Sequence, residues 1–217
     1  MGLVQIASAL GLDPAQVRRM LQQLMADGWI AQANDSAPYT FGTRMFSLSG
    51  RVLGNLDIVR AGQKVMRSLR DESGETVHLG VVREDRIVCV GRELSTHSVV
   101  AVATAVGDSW PMTGSAMGSA VRSVLPPSGD EAADDDAAAA RHCGYGLDLG
   151  HHKSGIVGVA AAILDYRGAP VGAIAVSGPI ERLGPARQQA AGQLVAAAAR
   201  QLSAAFGHPV TDGEATA

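Results

Sequence analysis

Arginine and glutamine side chains share one face of a short segment near the start of the chain. From Pro14 to Met25 apolar residues recur with helical spacing, and the polar residues lie off that stripe. The DNA major groove admits one α-helix, where Arg pairs bidentately with guanine and Gln with adenine. We therefore predict DNA contacts on this helix at Ala15, Gln16, Arg18, Arg19 and Gln22, and a contact of Arg44, beyond the helix, with the DNA backbone. An amphipathic helix with a solvated polar face fits the same pattern about equally well.

A second group of reactive side chains comprises His142, Cys143, His151 and His152. Imidazole and thiolate groups are zinc ligands, but the spacing matches neither a zinc finger nor a ribbon. A surface loop is therefore favoured over a metal site. No metal ligand is predicted.

Ser115 raises the possibility of a hydrolase. The chain lacks a Gly-x-Ser-x-Gly elbow, and no His and acid can be matched to Ser115. We predict instead that Ser115 caps a helix beginning at Ala116. His78, in an apolar strand, is expected to be partly buried with its hydrogen bonds satisfied. No catalytic residue and no cofactor are predicted, so the protein is not expected to be an enzyme.

Composition limits the elements that could position these residues. The 217 residues are 47% hydrophobic and 18% charged, which allows one or two domains with a sizeable core. The net charge of −3 means that any DNA contact must come from a local patch. Two distant cysteines and no apolar stretch long enough for a bilayer predict a cytoplasmic protein.

The first 41 residues predict helix, tight turn, helix and β-hairpin. A helix over Val4–Leu10 ends at Gly11, and Asp13-Pro14 begins the next, which ends at Gly28. Strands follow at Trp29–Ala31 and Tyr39–Phe41. This order is typical of a helix-turn-helix with a wing. The stripe expected to face its core is Val17, Met20, Leu21 and Leu24.

The remaining residues predict an α+β domain with an antiparallel sheet. The predicted helices cover 43–73 (broken near Gly50 and Gly54), 115–124 and 185–206; the predicted strands cover 75–82, 87–90, 99–103, 145–149, 156–164 and 171–176. The acidic segment 130–140 is favoured as a surface helix or loop over an interaction tail. The basic series is favoured as a solvated face, or as one that forms salt bridges to a partner subunit, over a phosphate-binding face: Arg60, Lys64, Arg67 and Arg70.

Several short motifs together resemble the isocitrate lyase regulator (IclR) family, in that family's order and over nearly the whole chain. They are Gly11–Pro14 with Val17–Leu21, Gly28–Ile30, Tyr39–Gly42, Gly74–Leu79, Pro111–Gly118, Gly144–Asp148 and Ile174–Pro179. The resemblance implies a partial winged helix-turn-helix (1–42), a linker helix (43–56), a GAF/PAS-like effector-binding domain (57–208) and a disordered tail (209–217). It also implies operator DNA, a small-molecule effector and a homodimer or homotetramer.

The effector-binding positions are carried over from the resemblance. They are Met112, Ala116, Met117, Asp148, Gly158, Ala175 and Ser177. Only Asp148 and Ser177 have a polar side chain, so a larger or more hydrophobic ligand than a small keto acid is expected.

The family's DNA-binding module begins with a helix that has no counterpart before Gly2 in this sequence. Without it, one side of the stripe on the second helix lacks a cover, and we expect the missing segment to lie upstream. The alternative is a stand-alone small-molecule sensor that has lost DNA binding. The favoured interpretation is a repressor-type regulator, in which the effector controls operator binding through the linker helix.

Overall fold

The computed structural model describes residues 1–45, 47–48, 57–97, 104–127, 129 and 131–209, without the side chains of residues 131–134. The chain divides into two compact units, Met1–Leu56 and Asp57–Ala217. Residues 43–45 and 47–48 are helical. The predicted break near Gly50 and Gly54, the predicted strand 99–103 and most of the predicted tail lie outside the described residues. The domain limits stay predictions.

The first unit is a helix-turn-helix followed by a small hairpin. Its elements are α1 (Leu3–Leu10), α2 (Pro14–Ala26), β1 (Ile30–Ala31) and β2 (Thr40–Phe41). Gly11 ends α1 with φ +63°, a left-handed conformation that glycine adopts without strain. The Asp13 carboxylate then accepts hydrogen bonds from the backbone N–H groups of Ala15 (3.0 Å) and Gln16 (3.2 Å). Because this cap satisfies two free donors, α2 begins where the sequence predicts.

The core of this unit lies between the two helices and the hairpin. Ala7, Val17 and Leu21 are buried together. The predicted burial of Met20 and Leu24 is wrong, since they are 49% and 38% exposed. Val17 and Leu21 are four residues apart and face α1, whereas Met20 and Leu24 lie on the flank of the stripe.

The second unit is an antiparallel six-stranded sheet with helices on both faces. Its strands are β3 (Thr76–Arg83), β4 (Arg86–Glu93), β5 (Ser109–Pro111), β6 (Gly146–Asp148), β7 (Ile156–Leu164) and β8 (Pro170–Pro179), in the spatial order β5-β4-β3-β8-β7-β6. Its helices are α3 (Asp57–Ser73), α4 (Ala116–Arg122), α5 (Glu131–Cys143) and α6 (Pro185–Ala205). The predicted α+β class is confirmed.

Alternation along β3 separates the two faces of the sheet. Gly62 of α3 packs against the Leu79 side chain, while the next residue, Gly80, faces Met117 of α4. Side chains at successive strand positions point to opposite faces, so α3 and α4 cover opposite sides. The α4 side carries small residues, among them Ala160, Ala173 and Ala175. Small side chains there let α4 approach the sheet closely.

The structure shows the conformation of the acidic segment and the partners of two residues in the basic series. The acidic stretch forms most of α5, so the helix prediction is confirmed there. In the basic series, Arg67 and Arg70 both pair with Glu93 of the same chain, each at 3.3 Å. These two side chains therefore form salt bridges within the chain, whereas the predicted ones were to a partner subunit. Among the described residues, no helix is both long and apolar enough to cross a membrane.

Candidate functional site

The second helix of the first unit presents the predicted DNA-reading residues to solvent. Ala15, Gln16, Arg18, Arg19 and Gln22 are all exposed, whereas Val17 and Leu21 are buried. Within the described part of the chain, neither Arg18 nor Arg19 forms an ion pair. Both guanidinium groups are therefore available for bases or phosphates.

Arg44 follows the hairpin, and its side chain contacts residues at the end of α2. Its guanidinium carbon is 4.8 Å from the centre of the Trp29 ring, within cation–π range. One of its nitrogens also donates to the backbone oxygen of Asp27, at 3.1 Å. Arg44 thus ties the residues after the hairpin to the end of α2, a contact that sequence reasoning missed.

The second unit holds a cavity of about 270 Å³ between α4 and the sheet. Six of the predicted effector positions line it: Ala116, Met117, Asp148, Gly158, Ala175 and Ser177. Met112 does not; it is partly buried against the neighbouring apolar cluster. The cavity is more polar than the predicted positions alone indicate. The lining also includes His78, Thr104, Asp108, Ser109, His152 and Lys153.

Asp148 shapes the cavity wall through the backbone. Its Oδ1 accepts hydrogen bonds from the N–H groups of Gly150 (3.0 Å) and His151 (2.7 Å), and its carboxylate is also near the His152 N–H. The residue is 7% exposed. These bonds fix the loop that brings His152 and Lys153 to the cavity. Asp148 is therefore a positioning residue for that loop.

His78 is the polar group buried most deeply in the cavity wall. It is 2% exposed, and its Nε2 is 2.9 Å from Ser177 Oγ. The Trp110 ring packs edge-on against it, with the ring centres 5.4 Å apart. Burial, with a smaller contribution from the positive charge of Arg92, lowers the pKa of His78 to about 4. The imidazole is therefore neutral at pH 7.

The prediction for His78 holds only in part. The residue is fully rather than partly buried, and its Nδ1 has no hydrogen-bond partner among the described residues. One sequence signal could have linked it to the cavity, since His78 lies in the Gly74–Leu79 motif. Its register partner on β8 is Ala175, a predicted cavity residue, but only the structure reveals that pairing.

The loop before α4 is held in place by Ser115. Its hydroxyl donates to the Pro111 backbone oxygen (2.6 Å) and accepts from the Gly118 N–H (3.1 Å), which confirms the predicted cap. Gly118 lies directly against this loop. A Cβ added there would collide with the backbone of Met112 and Pro111. Within the Pro111–Gly118 motif, the loop thus approaches α4 so closely that position 118 permits only glycine.

Gly118→Ala is expected to destabilise the second unit by about 1–3 kcal/mol, because the loop must move away from α4. Gly62→Ala is the matched control, since Gly62 is also a buried helical glycine but faces the flexible end of the Leu79 side chain. Urea denaturation of both variants measures the difference. Equal stability of the two variants would contradict the close-approach account.

The His and Cys residues that could have formed a metal site are not brought together. His152 lines the cavity, whereas His142 and Cys143 line a separate open groove near α6. In the portion of the chain that the structure describes, no three His, Cys, Asp or Glu side chains are grouped as metal ligands would be.

Both units match protein families that are already known. The family described as "Bacterial transcriptional regulator IclR C-terminal" matches residues 50–135 and 130–204, and "IclR helix-turn-helix domain" matches residues 1–33. The HTH-type transcriptional repressor AllR of Klebsiella pneumoniae is 28% identical over 93% of this chain and 81% of its own length. The transcriptional repressor IclR of Escherichia coli is 26% identical over 94% of this chain and 82% of its own length.

Solved structures share the same fold. The Thermotoga maritima IclR structure superposes with a TM-score of 0.76 at 17% identity, covering 96% of this chain and 92% of its own. An IclR transcriptional regulator from Alicyclobacillus acidocaldarius superposes with a TM-score of 0.78 at 19% identity, covering 95% of this chain and 90% of its own. Because the family matches together span most of both units, this chain belongs to the IclR family of bacterial transcriptional regulators.

Proposed function

We propose that this regulator binds operator DNA through the exposed face of α2 and that a small molecule in the cavity of the second unit changes its affinity. The observation that carries the DNA part is the unpaired, solvent-exposed face of Arg18, Arg19, Gln16 and Gln22 on a capped helix. A recognition helix in the major groove presents such groups to base edges and phosphates. The β1–β2 hairpin is the wing beside it.

Within this proposal the DNA-contacting residues have different roles. Arg18 and Arg19 bind base edges or phosphates, Gln16 and Gln22 bind base edges, and Ala15 lets the helix approach closely. The Arg44 guanidinium rests on Trp29 and retains N–H groups for a backbone phosphate.

The effector is proposed to act by conformational selection. It changes DNA affinity only if it binds one arrangement of the DNA-binding units better than another. A coupling free energy of about 1–3 kcal/mol is typical of such systems. Residues 43–56 join the two units along the chain and are the proposed transmitter. Equal effector affinity for free and DNA-bound protein would contradict this coupling.

The proposal has further parts, concerning the sign of regulation, the assembly and the absence of a reaction. The chain is proposed to repress the gene it controls, as the names of the AllR and IclR relatives state for those proteins. It is also proposed to act as a homodimer or homotetramer, in the cytoplasm where the DNA lies. It needs no cofactor and performs no reaction. Support for the last point comes from Ser115, whose hydroxyl is used by the helix cap and the Pro111 oxygen.

The stand-alone sensor is not favoured. Residues 1–33 match the family's helix-turn-helix domain, and the described residues there fold as two helices with a shared core. A chain that had lost DNA binding would have no reason to keep two unpaired arginines on the exposed face of α2.

Replacing Arg18 or Arg19 by alanine is expected to weaken binding to promoter DNA beside the protein's own gene by about 1–3 kcal/mol each. A base-reading arginine also loses sequence preference at one position, whereas a phosphate-binding one lowers the salt dependence. Fluorescence anisotropy across a salt series distinguishes the two roles. Arg187→Ala removes an exposed arginine from the second unit and is the matched control. Unchanged affinity in both α2 variants would rule out this helix as the DNA-binding element.

A further inference from the structure

One polar group in the cavity wall lacks a partner. His78 is 2% exposed, and its Nδ1 makes no hydrogen bond within the described residues. Buried polar side-chain atoms in folded proteins are almost always hydrogen-bonded, so an exception calls for an explanation. His78 lies on the cavity face of β3, and its other ring nitrogen contacts Ser177, which also lines the cavity.

The partnerless nitrogen leaves the position of the imidazole proton undecided. In a neutral histidine, the hydrogen bond made by one nitrogen normally determines which nitrogen carries the proton. Here no described residue offers Nδ1 a partner that prefers either form. Among these residues, the contact that decides the position of the proton is the one between Nε2 and Ser177 Oγ, at 2.9 Å. A hydroxyl can serve that contact as donor or as acceptor.

The two forms make Ser177 chemically different. If Nε2 carries the proton, it donates to Oγ, and the Ser177 hydroxyl is free to donate into the cavity. If Nδ1 carries the proton, the hydroxyl donates to Nε2, and Oγ presents only lone pairs. Moving one proton on His78 thus converts Ser177 from donor to acceptor.

Charge at this end of the cavity is limited by the surroundings of the ring. Burial and the nearby Arg92 hold the pKa of His78 at about 4, so the ring is neutral at pH 7. A neutral ring supplies no counter-charge for an anionic group placed against Ser177, and the described lining carries one lysine, Lys153, against two aspartates, Asp108 and Asp148. The polar group best matched to the pair is therefore uncharged.

We propose that His78 is a positioning residue that lets Ser177 act as either hydrogen-bond donor or acceptor, so that this end of the cavity selects an uncharged polar group of the effector. Carbonyl, hydroxyl and N–H groups qualify. Trp110, edge-on to His78 at a ring separation of 5.4 Å, provides an aromatic wall for a flat ring carrying that group. This inference rests on the proposed role of the cavity as the effector site.

Nitrogen-15 NMR of histidine-labelled full-length protein tests the proposal without DNA. A protonated ring nitrogen and an unprotonated one resonate far apart, and His78→Gln identifies the His78 signals among those of the six histidines. In the free protein we expect averaged shifts from both tautomers. A single fixed tautomer in the free protein would overturn the proposal.

Three probes of similar size complete the experiment. Acetophenone, which only accepts hydrogen bonds, is expected to shift His78 to the Nε2–H form. Indole, which only donates, is expected to shift it to the Nδ1–H form. In Ser177→Ala neither shift occurs, although ring-current shifts from bound probe persist. Benzoate is expected to bind at least tenfold more weakly than acetophenone.

Several outcomes would overturn the inference. They are the same tautomer with both neutral probes, no binding of either at millimolar concentration, or tight benzoate binding with a doubly protonated His78. Failure of the regulator proposal itself is separable, because it is read from promoter binding by the Arg18 and Arg19 variants. Those variants leave the cavity unchanged.

Discussion

Arg182→Ala is expected to lower the free energy of unfolding of the second unit by about 3–5 kcal/mol, because it leaves a buried carboxylate unpaired. Glu75 is 1% exposed, and Arg182 donates two hydrogen bonds to it, Nε to Oε1 and Nη2 to Oε2, both at 2.7 Å. The bond to Glu75 raises the pKa of Arg182, so the guanidinium group stays charged. Urea denaturation followed by circular dichroism measures the loss.

Two further variants make this result specific. Arg187→Ala, an exposed arginine in the same unit, should change stability by no more than about 0.5 kcal/mol. Adding Glu75→Gln to Arg182→Ala should recover part of the loss, because the remaining buried group is then neutral. A loss below about 1 kcal/mol for Arg182→Ala would show that the ion pair contributes no more than a surface pair does.

His78 is expected to make stability depend on pH between about pH 6.5 and 4. Its pKa is about 4 in the folded protein, where burial disfavours the charged ring, against 6.5 for an ordinary histidine. Between these values the unfolded chain binds the proton and the folded protein does not, so stability falls as the pH is lowered. The loss is roughly 3 kcal/mol across the window, complete once the folded protein also protonates near pH 4.

His78→Gln isolates this contribution, because the other five histidines are common to both proteins. Urea denaturation at pH 4, 5, 6 and 7 should give a wild-type stability that falls more steeply with acid than that of the variant. Parallel pH curves for the two proteins would mean that His78 keeps an ordinary pKa in the folded state.

Local signals account for what could be predicted from the sequence. The Asp13-Pro14 cap, the glycine at position 11 and the apolar, β-branched runs of β7 and β8 are signals carried by neighbouring residues. The predicted boundaries of these elements therefore agree with the structure to within about three residues. The exposure of Met20 and Leu24 could not be predicted from such signals. Helical periodicity marks an apolar stripe, but only tertiary packing decides how much of its width is covered.

The lining of the cavity also depends on tertiary packing that local signals in the sequence do not determine. Its predicted positions came from motifs, and six of seven line the cavity, yet Trp110 and His78 were missed. Trp110 belongs to β5, a three-residue strand too short to show alternation in the sequence. His78 is drawn in by cross-strand register with β8, a relation between residues about a hundred positions apart. Asp148 was expected to contact the effector, but its carboxylate also holds the backbone of the neighbouring loop.

The central claim is that the exposed face of α2 reads a specific operator. The most direct test compares the affinity of the wild-type chain for promoter DNA beside its own gene with that for a scrambled duplex of equal length, at physiological salt. We predict saturable promoter binding at least about 10³-fold tighter than binding to the scrambled DNA. Equal affinity for the two duplexes, with the same salt dependence, would contradict sequence-specific recognition by this helix.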